Sequence, residues 1–301
     1  MANSTATSDQ AFHDELPKRP NALWAFCKSQ PLGVIGFLII ALYLVCALFA
    51  PWIAPYDPEA VDFGAMTSPP SLEHLFGTDQ YGRDVFARIV YGARTALAVG
   101  ILSSLFGCTV GALIGAASGY FGGRIDTFIQ RIVDILLSFP IIVLAMVVVA
   151  VLGRRQALGV DVNLIVAIAL PIMPKMARIA RSSTLSIAAM PYIDAARAAG
   201  FSHSRIILRH ILPNIVAPYR IMLTAFIAQA ILLEASLSFL GLGVTEPTPA
   251  WGLMLSGGSA DFYREAPWMI VFPGLAITFA VFAFNMFGDS LRDWLDPKLR
   301  A

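Results

Sequence analysis

The run PLGVIGFLIIALYLVCALFAPWIAP, residues 31–55, decides the fold class, because it carries no charged side chain and is bounded by prolines. It exceeds the roughly 20 apolar residues that an α-helix needs to cross a hydrocarbon core of about 30 Å. It is also longer than the apolar stretch of a cleaved signal peptide, about 7–15 residues. The polar segment before it, MANSTATSDQAFHDELPKRPNALWAFCKSQ, therefore reads as a tail and the run as an uncleaved first span.

Working outward from this span, the charge-free runs Thr95–Gly123, Ile135–Gly153 and Ala266–Gly288 supply a second, third and sixth. The fourth is imperfect. Its charge-free part, Val162–Pro174, is too short to cross alone, contains Pro171 and Pro174, and must continue past Lys175, whose long side chain can reach towards headgroups. The fifth, from about Tyr219 to Val244, crosses only if Glu234 lies inside it. The expectation is an all-α, polytopic membrane protein with six transmembrane helices.

Composition agrees. The 301 residues are 57% hydrophobic and 14% charged, against roughly 25% charged for a soluble domain, so a globule of this size would lack polar surface. A net charge of +1 gives no footing for nucleic acid. Cys27, Cys46 and Cys108 are far apart, with no CxxC pairing, and imply neither a disulfide framework nor a metal site.

Lys and Arg placement sets the orientation. With the amino terminus inside, seven inside charges fall between Lys175 and Arg220, and Arg83, Arg88, Arg94, Arg154, Arg155 and Arg264 are the basic residues left outside. Both termini are then cytoplasmic. Arg131 and Asp134, three apart near the inner end of the third span, read as a local ion pair.

The basic loop contains PYIDAARAAGFSHSRIILRHILPN, residues 191–214. Pro191 suits the first turn of a short helix and Gly200 its stop, while Ser202 can cap a second helix that Pro213 would end. Ala195, Ala196, Ala198 and Ala199 leave the first helix open to close approach, and the second carries Arg205 and Arg209 beside Ile206, Ile207, Ile211 and Leu212. This is a helix–turn–helix hairpin on the cytoplasmic face rather than a plain amphipathic connector.

Here the chain resembles the permeases of binding-protein-dependent ABC importers, whose cytoplasmic loop carries EAA, three residues, Gly, nine residues, then I-x-L-P. Asp194-Ala195-Ala196, Gly200 and Leu212-Pro213 match at that spacing, with Asp194 in place of Glu and His210 in place of Ile. The strings LFGTDQYGRDVFARIVYGARTAL (75–97), QRIVDILLSFP (130–140), EASLSFLGLGVTEPTPAWGLML (234–255) and FNMFGDSLRDWLDPKLR (284–300) are similar to the dipeptide, oligopeptide and nickel branch, in its second, C-type subunit.

The resemblance implies a five-helix type I permease core behind the first span. The corresponding organisation is a tail at 1–30, a first span and periplasmic segment at 31–94, a core at 95–291 that includes the coupling loop 175–220, and a tail at 292–301. It further implies a multi-pass subunit of a bacterial inner membrane that forms half of a peptide pathway, with a sister permease, two ATPase subunits and a periplasmic or lipid-anchored solute-binding protein. ATP and Mg would be used on the ATPases, and the hairpin would dock into an ATPase cleft. Nickel chelates, glutathione or another small solute are alternative cargoes for the same machinery.

Gly107, Gly111, Gly115 and Gly119 recur at four-residue intervals in the second span, making a smooth face for a second helix of this chain or of the sister permease. Glu234 is the acidic residue expected within a span. It either lines the pathway or its outer gate, or holds the start of the SLSFLGLG segment by a hydrogen bond, or is protonated in place. The sequence contains no GxxxxGK[ST], HExxH or GxSxG, and its four histidines are scattered, so no bound nucleotide, resident metal, cofactor or catalytic site is expected. An ion-coupled secondary transporter is the rival class, and it would need more intramembrane titratable groups than Glu234.

Overall fold

The computed structural model describes residues 27–153, 155–157, 160–256, 262 and 264–295. Most of the expected amino-terminal tail, the end of the carboxyl-terminal tail and Arg154 lie outside the described residues. Helix α1 spans Pro31–Ile53, α2 Val85–Phe121, α3 Gly123–Ser138 and α4 Ile141–Leu152. After a two-residue antiparallel pair, β1 (Gln156–Ala157) and β2 (Val160–Asp161), come α5 at Val162–Ala188 and the short α6 at Pro191–Ala198. The chain continues through α7 at His203–Ile206, α8 at Val216–Phe239, α9 at Trp251–Met254 and α10 at Trp268–Leu295.

Among the described residues, five helical runs are long and apolar enough to cross a membrane: α1, α2, α5, the run from His203 through α8, and α10. The third expected span is the exception. It is built from α3 and α4, which meet at 97° and make a sixth crossing when taken as one broken span. The cause is local. Pro140 excludes a helical conformation at Phe139, which is extended (φ −84°, ψ 139°), and α4 restarts after the proline.

Helix α2 begins at Val85, well before the charge-free run from Thr95, because Asp84 caps it by accepting from the Ala87 amide. With 37 residues and a rise of about 1.5 Å each, it is about 55 Å long and outreaches the hydrocarbon core. It shares the centre of the bundle with α8. One buried cluster joins both to α4, α5 and α6, and a second joins both to α1, α9 and α10.

The most intimate contact is α2 against α5. A Cβ on Gly107 would stand 2.9 Å from the Ala169 carbonyl oxygen, one on Gly111 2.5 Å from that of Met173, and one on Gly119 2.9 Å from that of Arg181, while one on Gly115 would meet the Ala177 carbonyl. The stripe thus lets two backbones of this chain touch. Helix α1 is peripheral. It leans on α10, where Tyr43 Oη donates to the Ala276 carbonyl at 2.9 Å, and leaves Leu32, Leu38, Leu42 and Leu48 exposed.

Polar links pin the bent third segment. Arg181 on α5 reaches both carboxylate oxygens of Asp126 on α3, at 2.6 and 2.5 Å. Arg178 on α5 takes Asp134 at 2.5 Å, so Asp134 pairs across helices and not with Arg131 three residues away. Lys175, in the middle of α5, donates from its Nζ to Gln229 Oε1 on α8 at 3.3 Å.

Candidate functional site

Two polar assemblies stand out, one at each end of α2. At its carboxyl end lies the 191–215 hairpin. Pro191 opens α6 in its first turn and Gly200 turns the chain at φ +76°, a conformation that costs glycine little. Ser202 Oγ caps α7 by accepting from the Arg205 amide at 3.3 Å. Ile193, Ala196, Ile206, Ile211 and Ile215 are buried against the bundle. Asp194, Ala195, Arg205, Arg209 and Pro213 are exposed, while His210 and Leu212 are half-buried. Among the alanines, Ala196 is therefore turned inward and only its neighbours can meet another protein.

Pro213 does not end the second helix. The chain widens into a π turn at Ile207–Ile211, where the Leu212 amide bonds to the Ile207 carbonyl, and then tightens into a 3₁₀ turn at Leu212–Ile215. A proline lacks the N–H of a regular helical bond and clashes with the preceding turn, and the wider loop absorbs this. Asn214 Nδ2 satisfies the His210 carbonyl at 2.6 Å, and helical chain continues into α8.

Tyr120 adds polar contacts to the apolar seam between bundle and hairpin. Its hydroxyl lies in a hydrogen bond with His203 Nδ1 of α7 at 2.9 Å, and the Arg197 guanidinium of α6 sits 5.3 Å from its ring centroid. The ring is only 8% exposed.

At the other end of α2 sits an ion network that sequence reasoning missed. Arg83 Nε binds Asp79 Oδ2 at 2.7 Å, and its terminal nitrogens bind Glu246 at 2.5 and 3.3 Å. Arg88 is 1% exposed. It donates to the carbonyls of Pro58 and Pro247 at 3.0 and 3.2 Å and to Glu246 at 3.4 Å. Burial works against the Arg83 charge, but the hydrogen bonds and charges of Glu246 and Asp79 outweigh it and hold its pKa above the ordinary arginine value.

The network borders a cavity of about 160 Å³, also lined by Gln80, Tyr81, Leu253, Met254, Ser256 and Met269. The loop after α8 is strapped down nearby: Trp251 Nε1 donates to the Ile89 carbonyl at 2.9 Å and Thr95 Oγ1 to that of Pro249 at 3.0 Å. The signal for this network lay in the density of charge in GTDQYGRDVFAR (77–88), but Glu246 is too distant in sequence to be paired with it by inspection.

Glu234 lies in α8, 1% exposed. Ser238 Oγ donates to its Oε1 at 2.7 Å and accepts from the Val244 amide at 3.1 Å, so the carboxylate, the hydroxyl and the loop after α8 form one chain of bonds. Among the described residues, no group of three His, Cys, Asp or Glu side chains could hold a metal ion.

Comparison with known proteins extends this picture. Residues 107–301 match the family described as binding-protein-dependent transport system inner membrane component, and residues 22–70 match the N-terminal TM domain of oligopeptide transport permease C. The chain is 42% identical over 266 residues to a putative peptide transport system permease protein of Brucella suis, covering 88% of each. It is 43% identical to the dipeptide transport system permease protein of Alkalihalophilus pseudofirmus, covering 91% of this chain and 88% of the relative. It is 44% identical to the glutathione transport system permease protein of an Escherichia coli O6:K15:H31 strain, covering 92% and 90%. In fold it is similar to a chain of the MetNI methionine ABC transporter in an inward-facing conformation, with a TM-score of 0.54 at 19% identity, covering 70% of this chain and 98% of that one.

Proposed function

The chain belongs to the binding-protein-dependent transport system inner membrane components, and from that premise we propose that it forms half of an ATP-driven import pathway for di- or oligopeptides. As a member of that family it is a multi-pass membrane transport subunit, not an enzyme, and ATP is hydrolysed on separate subunits. The observation that carries the mechanism is the hairpin. Its inner face is buried against α2 and α5, and its outer face presents Asp194, Ala195, Arg205 and Arg209.

Such a surface suits a protein partner, and the partners in this reading are two ATPase subunits that carry ATP and Mg. A sister permease completes the pathway, and a periplasmic or lipid-anchored binding protein delivers the solute. In this reading the hairpin and both termini are cytoplasmic, which the concentration of Lys and Arg in the 175–220 loop supports. Closure of the ATPases on ATP would displace the hairpin and switch the two permeases between inward- and outward-facing states.

The peptide reading draws support from the peptide and dipeptide permeases among the relatives, and glutathione, named for another, is itself a tripeptide. The test is reconstitution of the chain with its sister permease, ATPases and binding protein in liposomes without an ion gradient. ATP-dependent accumulation of labelled di- or oligopeptides is expected. Uptake that needs an ion gradient and ignores ATP would overturn the reading in favour of a secondary transporter.

A further inference from the structure

The hairpin explains how an ATPase could grip this chain, but not how displacement there would be felt on the opposite face. We infer that α2 is the strut that carries it, and that Tyr120 is the positioning residue that clamps the hairpin to the strut. This rests on the coupling role proposed for the hairpin.

Three observations support the inference. First, α2 is a single helix of 37 residues without a proline, whereas α1, α5 and α10 contain Pro51, Pro171 with Pro174, and Pro273. Proline is the commonest cause of a sharp kink; α8 has its proline, Pro218, in the first turn and is 24 residues long, so α2 is the longest helix built to move without bending. Second, its two ends are both tied by specific polar contacts. Tyr120 is held from α6 by Arg197 and from α7 by His203, so one ring reads both helices of the hairpin. At the far end, Arg88 is fastened to Pro58, Pro247 and Glu246, which belong to the segment before α2 and to the loop after α8. Third, the glycine stripe seats α2 directly on the α5 backbone, so the strut is braced against its neighbour along four turns.

A displacement of the hairpin therefore reaches the Arg83–Arg88–Glu246 network and the cavity beside it as a rigid-body shift of α2. Losing the Tyr120 hydroxyl removes one hydrogen bond from this linkage and keeps the ring under Arg197. Losing the ring removes both contacts.

The experiment uses the assembled complex in liposomes, with Cys27, Cys46 and Cys108 replaced by alanine and a reporter introduced as Ser256→Cys at the cavity. Its reaction rate with a membrane-impermeant maleimide is measured with and without ATP plus vanadate, at matched amounts of co-purified ATPase. In the parent, ATP is expected to change the rate. Tyr120→Phe should reduce that response roughly two- to tenfold, the worth of one hydrogen bond, and Tyr120→Ala should abolish it, with ATPase association intact in both. A tyrosine that only supports the fold would lower the amount of complex and leave the ATP response per complex unchanged, which would overturn the inference, as would a parent that does not respond. Gly200→Val is run in parallel. If it also leaves the response intact, the hairpin reading itself falls. If it abolishes the response while both Tyr120 variants keep it, only the strut is lost.

Discussion

Glu246 and Arg88 stand 158 residues apart in the chain, yet carboxylate and guanidinium meet at 3.4 Å, and the same oxygen, Oε2, also accepts from Arg83 at 2.5 Å. Glu246 thus bridges two arginines, one buried almost completely and one nearly so, with Asp79 supplying the second negative charge, and it fixes the loop after α8 against the start of α2. Removing one partner of a buried pair leaves the other charge uncompensated, which costs about 3–5 kcal/mol. The Glu246 side chain is 45% exposed, Arg83 keeps Asp79 and Arg88 keeps two carbonyl acceptors, so the loss falls below that range.

Glu246→Ala should accordingly lower the thermal midpoint of the detergent-purified protein and speed proteolysis of the 240–256 loop. Glu246→Gln, which retains an acceptor but not the charge, should fall between. Identical melting of all three proteins would mean the network contributes nothing.

The glycine stripe yields a sharper contrast. Gly115→Val puts a branched side chain where the Ala177 carbonyl already sits, so α2 and α5 must separate along their whole contact. Overpacking costs about 1–3 kcal/mol where side chains can yield, and a backbone carbonyl cannot. Gly274, also within a helix, has nothing within 4 Å of its would-be Cβ. Gly274→Ala should leave membrane levels unchanged, while Gly115→Val should reduce them severalfold by immunoblot of matched membranes. Equal levels would show that the contact between α2 and α5 tolerates a gap.

Glu234 invites a test of what a buried acid does here. Its contact with Ser238 continues to the Val244 amide, which supports the anchoring role over direct contact with a moving solute. Glu234→Gln keeps an acceptor for Ser238 and should preserve both assembly and most uptake. Glu234→Leu strands the hydroxyl in a buried site at a cost of about 1–3 kcal/mol and should weaken both. Normal assembly with abolished uptake in Glu234→Gln would instead assign the charge to the pathway.

What the sequence disclosed follows the range of the interactions involved. The spans were legible because a charge-free run such as Pro31–Ile53 reports burial in lipid directly, and the hairpin because Pro191, Gly200 and Ser202 act within a few residues of themselves. The 97° break before α4 was signalled by Pro140, but a hydropathy run does not register direction. The π turn before Pro213 escaped because proline announces only that a regular helix must fail, not how. Asp134 was assigned to Arg131 on spacing, and a residue 44 positions away won it because α3 folds back beside α5. Contacts made across the bundle leave no periodic trace, so nothing in the sequence marks the partners of Glu246 and Tyr120.

The coupling reading depends most on Gly200. It turns the chain at φ +76° between α6 and α7, and no atom lies within 4 Å of the position a Cβ would take. The space is open, so the penalty for a side chain is conformational and not steric crowding from the bundle. A β-branched residue at that φ is strongly disfavoured, at a cost of about 1–3 kcal/mol of local strain. The hairpin can relieve it only by changing the angle between its helices, which shifts Asp194 and Arg205 relative to each other. The spans lie above this turn and their packing does not pass through it, so Gly200→Val should insert at the parent's level. Gly200→Ala is strained less and should be intermediate. The measurement pairs ATPase co-purification with ATP-driven uptake at matched membrane levels. Gly200→Val is expected to lose the ATPases on purification, or to keep them while they hydrolyse ATP without moving solute. Parent-level association together with parent-level uptake would remove the hairpin as the coupling element.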